Sequence, residues 1–427
     1  MQSIPVNFLD KVKFEINKRN QPQYFMQFWQ WEGQLDSLRL QQAFDKVYQQ
    51  LPKLCHRLMD EEASYRYVPC QYDNTFVIRQ ARKSAIETLK AVLGAELDLI
   101  VGQSGNAPVI MLKIDTPDGA GTLLCLLFNH VFCDAPSGYL IKELLVSNYN
   151  GMQSDLPSVI KSISDEEFIG QQVNDRELFN KQLEDYQLQS RAYLSDANSV
   201  HLFYREGDSN TVNFDYFEID TDHIVRTPGI SLNSLVSTAI AKSILALKAS
   251  TLKGSISVSI TANVRQEESK LLGNYVSAIP VKLDDSDMRL MSQAFQQQID
   301  RVTMAPQRVL LSYASFARGF AQASPQQLME GFRLISTKSN CYISNFGHYN
   351  RNDNDNEALA FSGTQLVKAG GFNFPLQGHY GLILTLVPYG NRVGLGIAAA
   401  DSVLNANDLE QFKALVRQQL SSLQVAV

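Results

Sequence analysis

Residues 121–130 read GTLLCLLFNH, an almost uninterrupted apolar segment that ends in Asn129 and His130. Because the segment is hydrophobic on both faces, it predicts a central β-strand that is covered by helices on each side. Asp134 follows four residues after the histidine, then come Ala-Pro-Ser-Gly, and helical spacing of apolar residues resumes at 140–145. The sequence therefore predicts a strand, a turn and a helix, with His130 at the junction.

The rest of the chain mixes helical and strand-like patterns in both halves. Helical spacing occurs at 36–51, 232–247 and 287–302 and from 407 onward, and β-rich segments occur at 64–68, 75–79, 108–114, 201–219, 255–265, 274–283, 340–344 and 382–387. A chain of 427 residues exceeds the size at which one core keeps growing. We expect a two-lobed α/β protein with lobes at 1–165 and 201–427 and a polar connector at 166–200.

Composition excludes several classes of protein. The formal charge is −6, and the lysines and arginines are scattered singly, so we expect no nucleic-acid partner. The five cysteines include no CxxC pair, as is typical of reduced thiols. No signal peptide is recognisable, and no segment has the roughly 18 to 20 apolar residues of a membrane span. We expect a cytoplasmic monomer.

His130 has two interpretations. A lone histidine at a strand end is often a hydrogen-bonded structural residue. A neutral imidazole held in one tautomer is, however, the group that removes a proton from an alcohol or amine as that group attacks an activated carbonyl. Such a transfer needs no protein nucleophile when both substrates are bound at once.

Other chemistries have less support. Cys133 is close to His130 in sequence, but adjacency is not the geometry that a thiol–imidazole pair requires. A metal site at His130 and Asp134 lacks a third ligand at a recognisable spacing, since His348 or His379 would have to be recruited. The glycine-rich segments are the pair at 370–371 and GLGIAAAD at 394–401; both lack the phosphate-binding glycine patterns, so turns and a packed strand are favoured.

Several motifs, in order along the chain, resemble the chloramphenicol acetyltransferase-like superfamily. These are a first helix running into a Leu-Pro-x-Leu turn (37–58), NHVFCDAPSG around His130 as an HxxxD motif, ITANVRQ (260–266), LLGNYVSAIPV (271–281) and YISNFGHY (342–349). This superfamily includes peptide condensation domains, polyketide-associated acyltransferases, alcohol acyltransferases and the plant BAHD enzymes.

The resemblance implies two chloramphenicol acetyltransferase-like lobes, each a mixed sheet with flanking helices, with an active-site tunnel between them. It implies that His130 is the general base and that Asp134 pairs with an arginine to support the site; Arg265 is the candidate partner. Ala135, Ser344 and Asn345 are candidates for the oxyanion site or the tunnel wall. No metal or tightly bound cofactor is implied. The co-substrate is an acyl-CoA or phosphopantetheine thioester, which brings in an acyl or peptidyl carrier protein as a partner beside a small alcohol or amine acceptor.

The motif departs from the condensation branch of the family at two positions. Where that branch has HHxxxDG, this chain has Asn129 in place of the first histidine and Ala135 in place of the glycine. The expected function is a stand-alone acyltransferase of the kind common in specialised metabolism. The alternative is a condensation-like domain that binds a carrier protein or acyl thioester without turning it over.

Overall fold

The computed structural model describes residues 3–19, 23–61, 64–195, 202, 204–205, 208–209, 211–222, 224, 227–266, 269–303, 306–347, 360–375 and 377–422. His348, considered above as a metal ligand, lies outside them. The strands are β1 (Tyr24–Glu32), β2 (His56–Glu61), β3 (Ser64–Pro69), β4 (Phe76–Gln80), β5 (Val109–Asp115), β6 (Gly121–Asn129), β7 (Val212–Asp220), β8 (Ser255–Asn263), β9 (Val276–Asp284), β10 (Cys341–Asn345), β11 (Gln365–Asn373), β12 (Leu382–Tyr389) and β13 (Arg392–Ala400).

Helices cover the sheets and fill the space beside them. They are α1 (Phe8–Lys18), α2 (Ser37–Gln50), α3 (Ala85–Ala95), α4 (Leu97–Gln103), α5 (Ala135–Asn150), α6 (Leu156–Val159), α7 (Asp165–Gln172), α8 (Arg176–Ser195), α9 (Leu232–Leu247), α10 (Ala249–Leu252), α11 (Met288–Thr303), α12 (Pro306–Phe320), α13 (Pro325–Ser336) and α14 (Ala406–Ser421). Among the described residues, no helix combines the length and the apolar composition needed to cross a bilayer.

The strands form a five-stranded sheet in the order β11-β1-β6-β5-β4, a six-stranded sheet in the order β7-β13-β12-β10-β8-β9, and the hairpin β2-β3. Strand β6 lies at the centre of the first sheet, and all of its residues are buried. Leu124, Leu126 and Phe128 face the core under α2 and α5, and the alternate residues face the core under α3 and α4. The prediction of a central strand covered on both sides is confirmed.

The six-stranded sheet has its own core, with α9, α11 and α14 packed on it. Ser231 caps α9, as predicted, by accepting a hydrogen bond from the Ser234 amide. Strand β11 comes late in the chain but pairs with β1 in the five-stranded sheet, so the second half of the sequence completes the sheet begun by the first. The division of the chain at residues 165 and 201 stays a prediction.

Glycines allow β11 and β13 to cross in backbone contact. A Cβ placed on Gly394 would lie 2.1 Å from the Ala369 carbonyl oxygen, and one placed on Gly396 would lie 1.8 Å from that of Gly371. Any side chain there would push the two strands apart. The glycine-rich segments weighed above as nucleotide-binding are therefore explained by packing.

A third group of helices, α1, α7, α8, α12 and α13, surrounds another apolar cluster. Helices α1, α12 and α13 were not predicted from the sequence. The signals were nevertheless present: Asn7 caps α1 ahead of an i, i+4, i+8 stripe of Phe8, Val12 and Ile16, and Ser324 begins α13 with a capping box. This helical group forms one wall of the cavity described below.

Candidate active site

His130 lies immediately after β6 and five residues before the start of α5. Its backbone amide donates a hydrogen bond of 2.7 Å to the Gln23 carbonyl just before β1. The turn that follows is closed by the Asp134 side chain, which caps α5 by accepting from the Ser137 amide at 3.2 Å. The predicted strand, turn and helix are confirmed.

Two acceptors fix the tautomer of the His130 imidazole. Its Nδ1 lies 3.0 Å from the Cys133 carbonyl oxygen and 3.0 Å from Oδ1 of Asn274. Because a carbonyl oxygen can only accept, Nδ1 carries the proton and Nε2 carries the lone pair. Among the described residues, both hydrogen bonds of the ring are made by Nδ1 and none by Nε2. The imidazole is therefore arranged to accept a proton from a bound molecule.

Asn274 is held in one orientation by the groups that accept from its NH₂. Its Nδ2 donates to the His130 carbonyl at 2.8 Å and to Oδ1 of Asp10 at 2.9 Å. Its Oδ1 must then face the imidazole. Asn274 lies within the LLGNYVSAIPV motif, but neither its role nor that of Asp10 was predicted from the sequence. The position of Asn274 in that motif was the one available signal.

Asp134 and Arg265 form a bidentate ion pair below the loop. The two guanidinium nitrogens of Arg265 each lie 2.8 Å from a carboxylate oxygen of Asp134. The same carboxylate accepts from the Tyr275 amide at 2.9 Å, and both partners are almost inaccessible to solvent. Burial alone would raise the pKa of the Asp134 carboxyl, but the Arg265 charge and these hydrogen bonds hold it below its ordinary value. The pair links the turn after β6 to the segment that follows β8.

Burial also controls the charge of His130. Removal from water, and secondarily the positive charge of Lys13, lowers the pKa of the imidazole to about 3, against a smaller opposing effect of Asp134. The Asp134 oxygens bond to Arg265, Ser137 and the Tyr275 amide rather than to the imidazole. His130 is consequently neutral throughout the physiological pH range.

His130 opens into a cavity of about 170 Å³ that has contributions from both sheets and from the third helical group. The lining is mostly apolar and includes Phe8, Val12, Phe25, Val276, Phe316, Phe320, Phe332, Phe346, Phe374 and Ile383. Ala135, Ser344 and Asn345 line the same cavity, so all three residues predicted for the oxyanion site or tunnel lie near His130. An apolar cavity with few polar groups is typical of a small-molecule site.

The three residues differ in which donors remain for a ligand. The Asn345 NH₂ donates to Oδ1 of Asn233 on α9 at 3.0 Å, and its Oδ1 accepts from the Gly347 amide at 2.9 Å, so both ends of this side chain are occupied. Ser344 Oγ lies 3.2 Å from the Thr261 hydroxyl. Ala135 is the first residue of α5, where backbone N–H groups have no partner inside the helix. Ala135 and Ser344 therefore keep donors that can meet a ligand.

The structure separates the other candidates from this chemistry. The Cys133 thiol is buried, and burial raises its pKa well above the ordinary value, so it is not a nucleophile at neutral pH. His379 is not in the His130 cavity; its Nδ1 lies 2.8 Å from Ser336 Oγ beside a separate outer groove. Over the described ranges, no group of three or more His, Cys, Asp or Glu could hold a metal ion.

No family model matches the chain, and no curated protein matches it. Several solved structures do resemble it in fold. A starter condensation domain of rhizomide synthetase, a double mutant in complex with C8-CoA and Leu-SNAC, is 13% identical with a TM-score of 0.67, covering 99% of this chain and 94% of that one. A single mutant of that domain with C8-CoA has a TM-score of 0.68 at 14% identity, over 99% and 94% of the two chains.

The epimerization domain from the third module of tyrocidine synthetase B is 15% identical, with a TM-score of 0.62 over 99% of this chain and 96% of that one. The likeness extends over nearly the full length of all these chains. The expectation of a two-lobed mixed α/β fold is confirmed. The chain has the fold of the condensation domains.

Proposed function

We propose that the protein is an acyltransferase that moves an acyl group from a thioester, on coenzyme A or on the phosphopantetheine arm of a carrier protein, to a hydroxyl or amine. His130 is the general base. The observation that carries this proposal is the neutral imidazole with its Nδ1–H donated to the Cys133 carbonyl and its Nε2 lone pair left for a ligand in an apolar cavity. We propose that the protein has its two lobes at residues 1–165 and 201–427, joined by a connector at 166–200.

The reaction follows from the position of that lone pair. Nε2 of His130 removes the proton of the acceptor as the acceptor oxygen or nitrogen forms a bond to the thioester carbonyl carbon. The carbonyl π electrons move to oxygen, and their return expels the thiolate. The imidazolium gives its proton to the sulfur, so that an ester or amide and a free thiol leave. No covalent enzyme intermediate is required.

The Ala135 amide and the Ser344 hydroxyl are the proposed donors to the negatively charged oxygen of the tetrahedral intermediate. Both residues line the cavity with His130, and Ala135 is at the positive end of α5. Donors fixed in a water-poor cavity stabilise developing charge more effectively than water does, because they need no reorganisation. The role of Asp134 and Arg265 is to hold the turn that presents both His130 and the Ala135 amide.

The solved structures support the thioester part of this proposal. The rhizomide synthetase domains of the same fold are in complex with C8-CoA, and one also holds Leu-SNAC. A protein with this fold therefore accommodates an acyl-CoA. The neutral imidazole and the buried ion pair of the present chain favour turnover over mere binding.

The test is release of free thiol from acyl-CoA thioesters of increasing length, with and without mixed alcohol and amine acceptors. We expect acceptor-dependent release, reduced about 10² to 10⁴ fold in His130→Ala, the usual contribution of a general base. The matched control is His56→Ala, because the His56 Nδ1 also lies near a backbone carbonyl, that of Pro52 at 2.7 Å, but its side chain is outside the cavity.

Three outcomes contradict parts of the proposal. An unchanged rate in His130→Ala would exclude it as the base. Release that does not depend on the acceptor would indicate hydrolysis rather than transfer. Silence with acyl-CoA moves the test to acyl groups loaded on carrier proteins, and silence there as well would leave the non-catalytic binding domain as the function.

A further inference from the structure

Lys13, on α1, is a cation in the wall of the His130 cavity. Its ammonium lies 3.4 Å from Oε1 of Gln23 and 5.3 Å from the centroid of the Phe332 ring. Within the part of the chain that the structure describes, no carboxylate lies within salt-bridge distance of it. The positive charge therefore faces an apolar cavity without an anion.

Lys13 is intermediate in burial, whereas the buried cations near the site are paired. Lys53 lies 3.1 Å from an oxygen of Asp10, and Arg265 lies 2.8 Å from Asp134. Proteins pair such charges because an isolated ion outside water is strongly unfavourable. Burial lowers the pKa of Lys13 to about 8, so that in most molecules its amine is still protonated at neutral pH. An anion brought by a ligand would complete the pairing.

Gln23 supplies a second donor beside Lys13. Since its Oε1 accepts from the ammonium, its NH₂ group must point elsewhere, and among the described residues the Gln23 side chain makes no hydrogen bond besides the one to Lys13. Gln23 lines the cavity and is 4% exposed. Its backbone carbonyl accepts from the His130 amide at 2.7 Å, so this pair of donors lies beside the proposed base.

We propose that Lys13 and Gln23 bind a carboxylate of the acceptor, so that the acceptor is an amino acid or a hydroxy acid. The inference rests on the acyltransferase function proposed above. The carboxylate belongs to the acceptor because the acceptor's hydroxyl or amine must reach Nε2 of His130, whereas the phosphates of either donor are at the far end of the pantetheine arm from the thioester. An ammonium and a carboxamide NH₂ together match the two oxygens of one carboxylate.

The outer groove beside His379 supports the same assignment. Arg19 and Arg333 line this groove with one acidic residue, Glu330. The Phe332 ring contacts both regions, since its centroid lies 5.3 Å from the Lys13 ammonium and 4.9 Å from that of the His379 ring. Positive charge at the groove attracts an anionic substrate toward Lys13.

The test measures binding directly, by calorimetry, with two ligands that model the reaction product: N-octanoylglycine and its neutral amide, N-octanoylglycinamide. For the wild type we expect the carboxylate to bind at least about tenfold more tightly than the amide. Lys13→Met should remove this preference, and Lys13→Arg should retain part of it. The control is Lys11→Met, two positions along α1 and close to Tyr65 rather than the cavity, which should retain the preference in full.

Equal affinities of the wild type for the two ligands, or a preference that survives Lys13→Met, would overturn the inference. So would binding of neither ligand to the wild type. A carboxylate preference that depends on Lys13, in a protein that transfers no acyl group to any acceptor, would instead refute the proposed function and leave the carboxylate site standing. The two hypotheses are thus separable.

Discussion

Two buried carboxylates flank the His130 turn, and they are neutralised in different ways. Asp134 forms a bidentate pair with Arg265, with both distances at 2.8 Å. Asp10 accepts single hydrogen bonds, from Lys53 at 3.1 Å and from the Tyr67 hydroxyl at 3.0 Å. Both carboxylates bind a cation, and neither is hydrogen-bonded to the imidazole.

The two carboxylates therefore have different roles: Asp134 holds the turn, and Asp10 helps to orient the imidazole. Asp134 acts on the backbone, because it caps α5 and binds the Tyr275 amide. Asp10 acts through Asn274. Its Oδ1 accepts a hydrogen bond from the Asn274 NH₂ at 2.9 Å, and the Asn274 Oδ1 faces Nδ1 of His130. Stability should therefore depend mainly on Asp134, and the geometry of the imidazole should depend mainly on Asp10.

The largest expected effect comes from breaking the Asp134–Arg265 pair. Asp134→Ala and Arg265→Ala should each lower the free energy of unfolding by about 3 to 5 kcal/mol, because each leaves a buried charge without its partner. The loss of unfolding free energy in the double mutant should be much smaller than the sum of the losses in the two single mutants. Chemical denaturation of the four proteins measures this coupling; additive losses would show that the two residues do not act as a pair.

A surface pair gives the control for that cycle. Arg79 and Glu96 are also an arginine and a carboxylate, at 2.6 Å, but both are more than one third exposed. Glu96→Ala should change the free energy of unfolding by less than about 1 kcal/mol. A loss as large as that of Asp134→Ala would mean that burial is not what makes the Asp134 pair important.

A smaller effect is expected at the second carboxylate. Asp10→Asn keeps an oxygen for Asn274 but leaves Lys53 without a charged acceptor, so we expect a loss of about 1 to 3 kcal/mol in the free energy of unfolding. The coupling between Asp10 and Lys53 should be weaker than that between Asp134 and Arg265, since single hydrogen bonds replace a bidentate pair. Chemical denaturation of Asp10→Asn, Lys53→Met and their double mutant measures it.

Asp60 is the control, because it also pairs with a lysine, Lys18 at 2.7 Å, but the carboxylate is 20% and the lysine 41% exposed. Asp60→Asn should be nearly neutral. If the Asp10 and Lys53 coupling equals or exceeds that of Asp134 and Arg265, the contrast between the two carboxylates is wrong.

The smallest expected effect is on the pH dependence of stability. Burial holds the pKa of His130 at about 3, below the value of about 6.5 in the unfolded chain, so the unfolded state binds more protons between these values. Stability should fall as the pH drops below about 6.5, with a contribution from His130 of about 1 kcal/mol between pH 7 and pH 5.5. Melting curves of the wild type and His130→Gln over this range measure it, and the wild type should be the more pH-dependent protein.

Asp165 makes the comparison with His130→Gln necessary. Burial raises the pKa of this carboxyl to about 6, so its contribution has the opposite sign and favours the folded state as the pH falls. Asp165 is present in both proteins and its contribution cancels in their difference. An identical pH dependence of wild type and variant would mean that folding does not lower the pKa of His130.

The parts of the fold that the sequence predicted are those with local signals. The apolar segment at 121–130 predicted β6. The Ser231 cap and the apolar stripe after it predicted α9, and the change from strand to helical spacing after residue 134 predicted the His130 junction. Helices α12 and α13 were missed although Pro306 and Ser324 are ordinary helix starts. The place of β11 was also not predictable, because pairing with a strand more than 300 residues earlier in the chain leaves no local pattern.

The sequence by itself determined the two-lobed α/β class, the strand that ends at His130 and, through the family motif, the choice of His130, Asp134 and Arg265. These depend on hydrophobic period, capping and residue order, which are written in neighbouring residues. Only the tertiary structure brought Asp10, Lys13 and Asn274 to the imidazole, since Asp10 and Asn274 are 264 positions apart in the chain. The charge of His130 was decided there as well, because burial and neighbouring charge, which set its pKa, exist only in the folded chain.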